Sequence, residues 1–229
     1  MPPESQPLRT QFERQLLRVQ RDMLRMGALV ENSCVLAREA LCDRNLEAAQ
    51  KLPLHDKQID QFYRQIELDC VNLLALQAPV ATELRRISAF MQMVRDLERI
   101  GDYAKDIGEV SIKLFPYPVH PLTERIQTML DRCRSMVAMS LLALSNLDAQ
   151  RGLEIKQKDD AVDLDYEEIY ELLVHHPPIS NSIEPAVLLV LVIRYLERIA
   201  DHSTNVGKRV AFIVTRLPTL VEWSAMRSR

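Results

Sequence analysis

Arg95-Asp-Leu-Glu98-Arg-Ile-Gly-Asp102-Tyr-Ala-Lys-Asp106-Ile107 returns 99 residues later as Arg194-Tyr-Leu-Glu197-Arg-Ile-Ala-Asp201-His-Ser-Thr-Asn205-Val206. The shared Arg-x-Leu-Glu-Arg-Ile-Gly/Ala-Asp is too long and too well ordered to arise by chance, so the chain is a tandem repeat. In each copy oxygen-bearing side chains stand at i, i+4 and i+8, which a helix sets along one slowly rotating strip of its surface. Like charges at i, i+4 cost an isolated helix roughly 0.2–0.5 kcal/mol per pair. Pairing Glu98 with Asp102 and Glu197 with Asp201 therefore asks for a compensating cation, either arginine or metal.

Working outward, the same order of segments is found on both sides of each copy. An apolar stripe at three- and four-residue spacing (Leu16, Val19, Met23, Met26, Val30, Ala37, Leu41) predicts a first helix from about Phe12 to Leu41. Asn45 opens a second helical segment that Pro53 starts or kinks, and Thr82-Glu83 opens the third. The third helix has the stripe Ile87, Phe90, Val94, Leu97, Gly101, Ala104 and Gly108, where Gly101 lets a neighbour come close. Phe115-Pro-Tyr-Pro-Val-His-Pro121 is a semi-rigid linker. Beyond it, helices are predicted from about Thr123 to Leu147, Leu153 to Val174 and Ile183 to Leu217.

At an offset of 103, Ala40-Leu41 meets Ala143-Leu144, Asp56 meets Asp159, Asp60 meets Asp163 and Tyr63 meets Tyr166. No useful β-type alternation is found. The expected fold is all-α: two tandem, pseudo-symmetric three-helix bundles made of six long helices. The expected boundaries are a loose terminus at 1–8, a first bundle at 9–115, a linker at 116–122, a second bundle at 123–217 and a tail at 218–229 in which Trp223 is an anchor.

Low glycine (5 residues) and 5% aromatics suit a helical bundle, while a net charge of −3 without a basic stripe or tail argues against nucleic acid as the partner. The longest apolar run, Ala186 to Ile193, is far short of the roughly 20 residues that span a bilayer. Cys34, Cys42, Cys70 and Cys133 form no C-x-x-C and no signal-like start precedes them, which fits a reducing cytoplasm. Phosphate-cradling glycine loops, G-x-S-x-G and H-E-x-x-H are missing from the sequence, and enzyme readings fare poorly. Met91, Met93, Met136 and Met139 read as core fillers.

Two readings compete for the repeated acids. Oxygen donors without thiolates suit hard cations, and Asp56, Asp60, Asp159, Asp160 and Asp163 on the second helix of each bundle offer a facing wall of carboxylates. Against this stand salt bridges from Arg95 to Glu98, Arg194 to Glu197 and Arg198 to Asp201. Asp165, Glu167 and Glu168 read as a solvated face, His202 as a surface histidine, and His175 and His176 as loop residues.

On the doubled Leu-Glu-Arg-Ile-Gly/Ala-Asp, the two Asp-x-x-x-Asp pairs and the two Ala-Leu helix ends, the sequence resembles the PhoU family of bacterial phosphate-transport accessory proteins and phosphate-regulon regulators. The resemblance covers nearly the whole chain after the first ten residues. It implies a pair of three-helix bundles, no catalytic activity, and metal ions on the carboxylate motifs: Glu98, Asp102 and Asp106, and Glu197, Asp201 and Asn205. Asp56, Asp60, Asp159 and Asp163 complete the expected ligand set. Iron, zinc, manganese, magnesium and calcium all remain open. Asp106, where such proteins more often have Asn, adds charge to the first lobe.

The resemblance further implies a cytoplasmic adaptor, without membrane insertion, that restrains uptake by the phosphate ABC transporter and helps hold the membrane sensor kinase of the phosphate two-component system inactive. A homodimer or higher homo-oligomer is expected. The alternatives are a metal-storing or metal-buffering bundle and a metal-free structural scaffold.

Overall fold

The computed structural model describes residues 5–77, 79–178 and 182–215; the ends of the chain, including Trp223, lie outside the described residues. Six long helices follow in order: α1 (Ser5–Cys42), α2 (Leu46–Gln77), α3 (Ala81–Leu114), α4 (Thr123–Asn146), α5 (Ala149–His175) and α6 (Glu184–Thr215). The first three pack on one another as one bundle and the last three as a second.

The local chemistry explains most boundaries. Asn45 Oδ1 accepts from the Ala48 N–H at 3.1 Å and Asp148 Oδ1 from the Arg151 N–H at 3.0 Å, each satisfying an orphan donor at a helix start. Asp148 thus opens α5 four residues before the start expected at Leu153. α3 begins at Ala81 rather than at Thr82, because the Glu83 carboxylate reaches back to the Val80 N–H at 3.0 Å. α2 neither starts nor ends at Pro53 but runs through it; the missing N–H leaves the Ala49 carbonyl without its intrahelical donor. Arg44 and Leu147, equivalent in the two halves, both take left-handed backbone (φ 54° and 50°) in the turn that reverses the chain.

The two bundles do not keep separate cores. α3 packs against α1, α2 and α6, while α6 packs against α3, α4 and α5, with α1 against α4 closing one side. A single apolar cluster therefore runs through both lobes, and Ile100, Ala104, Ile107, Val192, Ile193 and Ala200 are fully buried in it. Met93 and Met136 are buried in that core and Met91 and Met139 pack on its edge, as expected for fillers. Arg44 ties the α1–α2 turn to the linker: its guanidinium donates to the Tyr117 carbonyl at 2.8 Å and to the Phe115 carbonyl, and lies 4.9 Å from the centre of the Phe115 ring.

Glycines set the spacing of the helices that carry the acids. Gly101 accepts Ile59 of α2, whose Cδ1 would stand 2.8 Å from an added Cβ. In the second lobe Gly152 of α5 and Gly207 of α6 meet backbone to backbone: a Cβ on Gly152 would lie 2.5 Å from the Gly207 carbonyl oxygen. Only residues without a side chain tolerate that approach.

Candidate functional site

In the first lobe the carboxylates of α2 and α3 meet. Lys105 Nζ, on α3, donates to Asp56 Oδ2 of α2 at 2.8 Å and to Asp102 Oδ1 at 3.2 Å, bridging the two helices. Burial pulls this ammonium down, but hydrogen bonds and charge from Asp56 and Asp102 hold it well above the usual lysine range. Glu98 is pushed up by burial and by Asp102 and Asp60, against the pull of Arg99. Asp106 is pushed up by burial, then by Glu109, Asp102 and Asp56, against Lys105. Asp102 thus links the expected first-lobe ligands: Glu98 feels it together with Asp60, and Asp106 feels it together with Asp56.

The second lobe repeats the arrangement with other means. Asp159 is only 4% exposed; its Oδ2 takes Lys156 Nζ at 3.0 Å, whereas its buried Oδ1 has no hydrogen-bond partner. Asp160 shares the same ammonium at 2.8 Å from an exposed position. Asp163 is pushed up by burial and by Asp159, Asp201 and Glu197, against Lys156. At the position equivalent to Lys105 stands Thr204, whose buried Oγ1 has no partner. Asp159, Asp163, Glu197 and Asp201 are therefore neighbours, as the repeat implies.

Asn205 stands at the edge of this group: each four-residue step turns a helix by about 40°, and after two steps Asn205 lines the groove between α3 and α6. Asp106, its counterpart, has turned the same way: with Glu109 it raises the phenol of Tyr195 on α6, after the larger effect of burial. Among the described residues, no three carboxylate, imidazole or thiol groups converge closely enough to hold one ion as placed.

The expected salt bridges form selectively. Arg194 pairs with Glu197, and Arg198 with Asp201 at 3.2 Å. Glu98 instead takes Arg99, whose Nε stands 3.1 Å away and whose Nη1 reaches Asp102 at 3.2 Å. Arg95 is left with no ion pair or hydrogen bond among the described residues. Asp165 is no solvated acid: it is half-buried against Arg132 of α4, 3.0 Å away.

His202 is likewise part of the seam rather than a surface residue. Its Nδ1 lies 2.8 Å from Asp96 Oδ1 across α3 and α6, with both side chains mostly buried. Tyr103 stacks on Tyr195 and on His202, with ring centres 5.8 and 5.9 Å apart. His175 closes α5 as its last residue, and His176 packs on the buried His120 at 4.7 Å. Burial raises the thiols of Cys34 and Cys70 to about 12 and that of Cys42 to about 11, so these cysteines are inert as nucleophiles or ligands at neutral pH.

Sequence reasoning missed Lys105 and Lys156. Both sit at i+3 or i−3 from a motif acid, and that spacing was the available signal.

The PhoU domain family matches residues 23–111 and 126–210, one copy per lobe. A phosphate-specific transport system accessory protein PhoU homolog from Synechocystis is 48% identical over 209 residues, covering 91% of this chain and 93% of that protein. The crystal structure of PhoU from Pseudomonas aeruginosa superposes with a TM-score of 0.84 at 31% identity, over 90% of this chain and 100% of that one. That of the phosphate transport system regulatory protein PhoU from Streptococcus pneumoniae gives 0.83 at 28% identity, over 91% and 99%.

Proposed function

Because this chain belongs to the PhoU family, we propose that it acts without catalysis, as a cytoplasmic, metal-binding regulatory adaptor of phosphate homeostasis. It restrains uptake by the phosphate ABC transporter and helps hold the membrane sensor kinase inactive when phosphate is plentiful. A homodimer or larger homo-oligomer is the docking form. The accessory and regulatory roles in the names of its relatives support the transporter as partner, and none of the described helices is long and apolar enough to cross a membrane itself.

The observation that carries the metal is the facing of carboxylates from two helices, made twice. Asp56, Asp60, Glu98 and Asp102, with Asp106 at the edge, would hold it in the first lobe, and Asp159, Asp163, Glu197 and Asp201 in the second. Asn205, like Asp106, stands at the edge, on the groove between α3 and α6. The donors fit a hard cation: all are oxygens, three have their protonated form favoured by burial and neighbouring acids, and Asp159 keeps a buried oxygen without a partner. Lys105 and Lys156 provide the positive charge that a cation would supply when bound, and their flexible ammonium groups would give way to it. By tying α2 to α3 and α5 to α6, occupancy sets the shape of the docking face.

Phosphate uptake by vesicles carrying the transporter, with this protein supplied on the cytoplasmic side, tests the reading. Wild type should slow uptake, and the folded Glu98→Ala plus Glu197→Ala variant should not. Equal restraint by both proteins would remove the metal from the mechanism.

A metal-free scaffold is the second reading, and the Lys105 and Lys156 bridges favour it, since each ammonium is already shared between two carboxylates. It requires that chelators leave thermal stability unchanged.

A further inference from the structure

The groove between α3 and α6 has a charge that the adaptor reading does not use. One end of it, with room of about 520 Å³, is lined by Gln92, Arg95, Asp96 and Arg99 from α3 and by Arg198, His202, Asn205 and Arg209 from α6, with Tyr103 as its floor. Four guanidinium groups face one carboxylate. Asp96 can only accept, so the His202 imidazole at 2.8 Å is the donor; Asp96 is held by His202 rather than by a guanidinium, and its single charge offsets one of the four arginines. Arg99 and Arg198 share their charge with acids of their own helices. Arg95 and Arg209 have no ion pair or hydrogen bond among the described residues.

The other end of the same seam, related by the repeat, lacks this character. Asp106 stands where Asn205 does, Glu109 where Lys208 does and Val110 where Arg209 does, and Arg194, the equivalent of Arg95, is neutralised by Glu197. The basic end is therefore a local departure from a symmetric frame.

We propose that the Asn205 end of the seam binds an oligophosphate anion, two or three linked phosphoryl groups held between the Arg95 and Arg209 forks. Guanidinium forks match phosphoryl oxygens two at a time, and the amides of Gln92 and Asn205 offer further donors. The space is that of a small-molecule site. The two forks come from different helices along one groove, so a chain of linked phosphoryl groups offers oxygens to both, whereas a single orthophosphate offers four oxygens at one point. The phosphoryl chain is free or carries a nucleoside.

Calorimetric titration of the full chain in chelator, at low salt, is the test, with inorganic phosphate, inorganic triphosphate, a nucleoside triphosphate and citrate as probes. Triphosphate should bind saturably at one per chain, and orthophosphate and citrate more weakly. The Arg95→Gln plus Arg209→Gln variant should lose about tenfold or more, the scale of one charge-assisted hydrogen bond, while Arg194→Gln at the opposite end should bind as wild type. Equal affinity for the nucleoside triphosphate supports a free chain as ligand, and tighter binding supports a nucleotide. No saturable triphosphate binding, unchanged affinity in the double variant, an equal loss in Arg194→Gln, or citrate matching triphosphate would each overturn the proposal. Both arginines line the groove and neither is buried, and an unchanged thermal midpoint confirms that each variant is folded. Chelator separates the outcome from that of the carboxylate metal sites.

Discussion

The two lobes solve one electrostatic problem with different residues. In the first, the ammonium that joins the facing acids comes from the third helix, Lys105 bridging Asp56 and Asp102. In the second, Lys156 of the middle helix pairs with Asp159 and Asp160 of its own helix, and the acids of α6 are left to Arg194 and Arg198. The repeat equivalent of Lys105 is Thr204, and that of Lys156 is Pro53. The acids hold their places while the cation moves, which is what is expected if the acids form the site and each lysine is a stand-in for its cation. Packing differs in the same way. Gly207 lets α6 touch the backbone of α5, while its counterpart Gly108 receives only the side chain of Leu52.

Substitutions can break this comparison, beginning with the packing. Gly207→Ala sets a methyl group against a carbonyl that cannot retreat without moving a helix, and it should cost about 3 kcal/mol, the upper part of the range for overpacking. Gly101→Ala should cost less than about 1 kcal/mol, because the flexible end of Ile59 can yield and Ala200 already fills the equivalent place. Thermal unfolding reads both, and equal losses would mean that the lobes are packed alike.

The lysines come next. Lys156→Ala should destabilise by on the order of 1 kcal/mol, since it strips the buried Asp159 of its one partner. Lys105→Ala should cost less, because Asp56, which loses its one partner among the described residues, is more exposed than Asp159, and Asp102 keeps Arg99. Each variant should bind divalent cations more tightly in its own lobe, measured by titration calorimetry; weaker binding would make the lysine part of a fixed scaffold.

A smaller effect follows from pH. The carboxyls of Glu98, Asp106 and Asp163 are raised in the folded protein, so protons favour the folded state. Their contribution is fully present below the ordinary carboxyl range and is lost as pH rises through the raised values. Metal-free protein should therefore gain stability on mild acidification from neutrality, and saturating cation should reverse the trend, because protons then compete with it. Chemical denaturation across that window, with and without metal, would show it.

The smallest change expected is that of Asp106→Asn, which gives the first lobe the residue of the second. Relief of one like-charge contact with Asp102 should stabilise by about 0.2–0.5 kcal/mol in chelator.

Fold and site were legible to different depths. Helical periodicity and the repeat gave six helices in two bundles, because both depend on local spacing. The shared core was not legible, since the seam stripe of α3 reads the same whether it faces its own bundle or α6. Of the two roles open to Pro53, starting α2 is excluded, because the helix runs through it: helix packing on both sides outweighs one lost hydrogen bond. The carboxylate pairs were found by their spacing, and because a strip at i, i+4, i+8 turns steadily around the helix, its third members Asp106 and Asn205 stand at the edge of the clusters. The choice of Arg99 over Arg95 by Glu98, and of Asp96 by His202, depends on side-chain direction and on a neighbour distant in sequence, which no local pattern encodes.

Metal content decides the central claim most directly. Protein purified without chelator or an affinity-metal column, as wild type and as the Glu98/Asp102/Glu197/Asp201 alanine variant, would be analysed by elemental mass spectrometry. The account predicts iron, zinc, manganese, magnesium or calcium in wild type at a stoichiometric level that disappears in the variant. Wild type that stays metal-free after incubation with those ions, or a variant that retains the same metal, would contradict it.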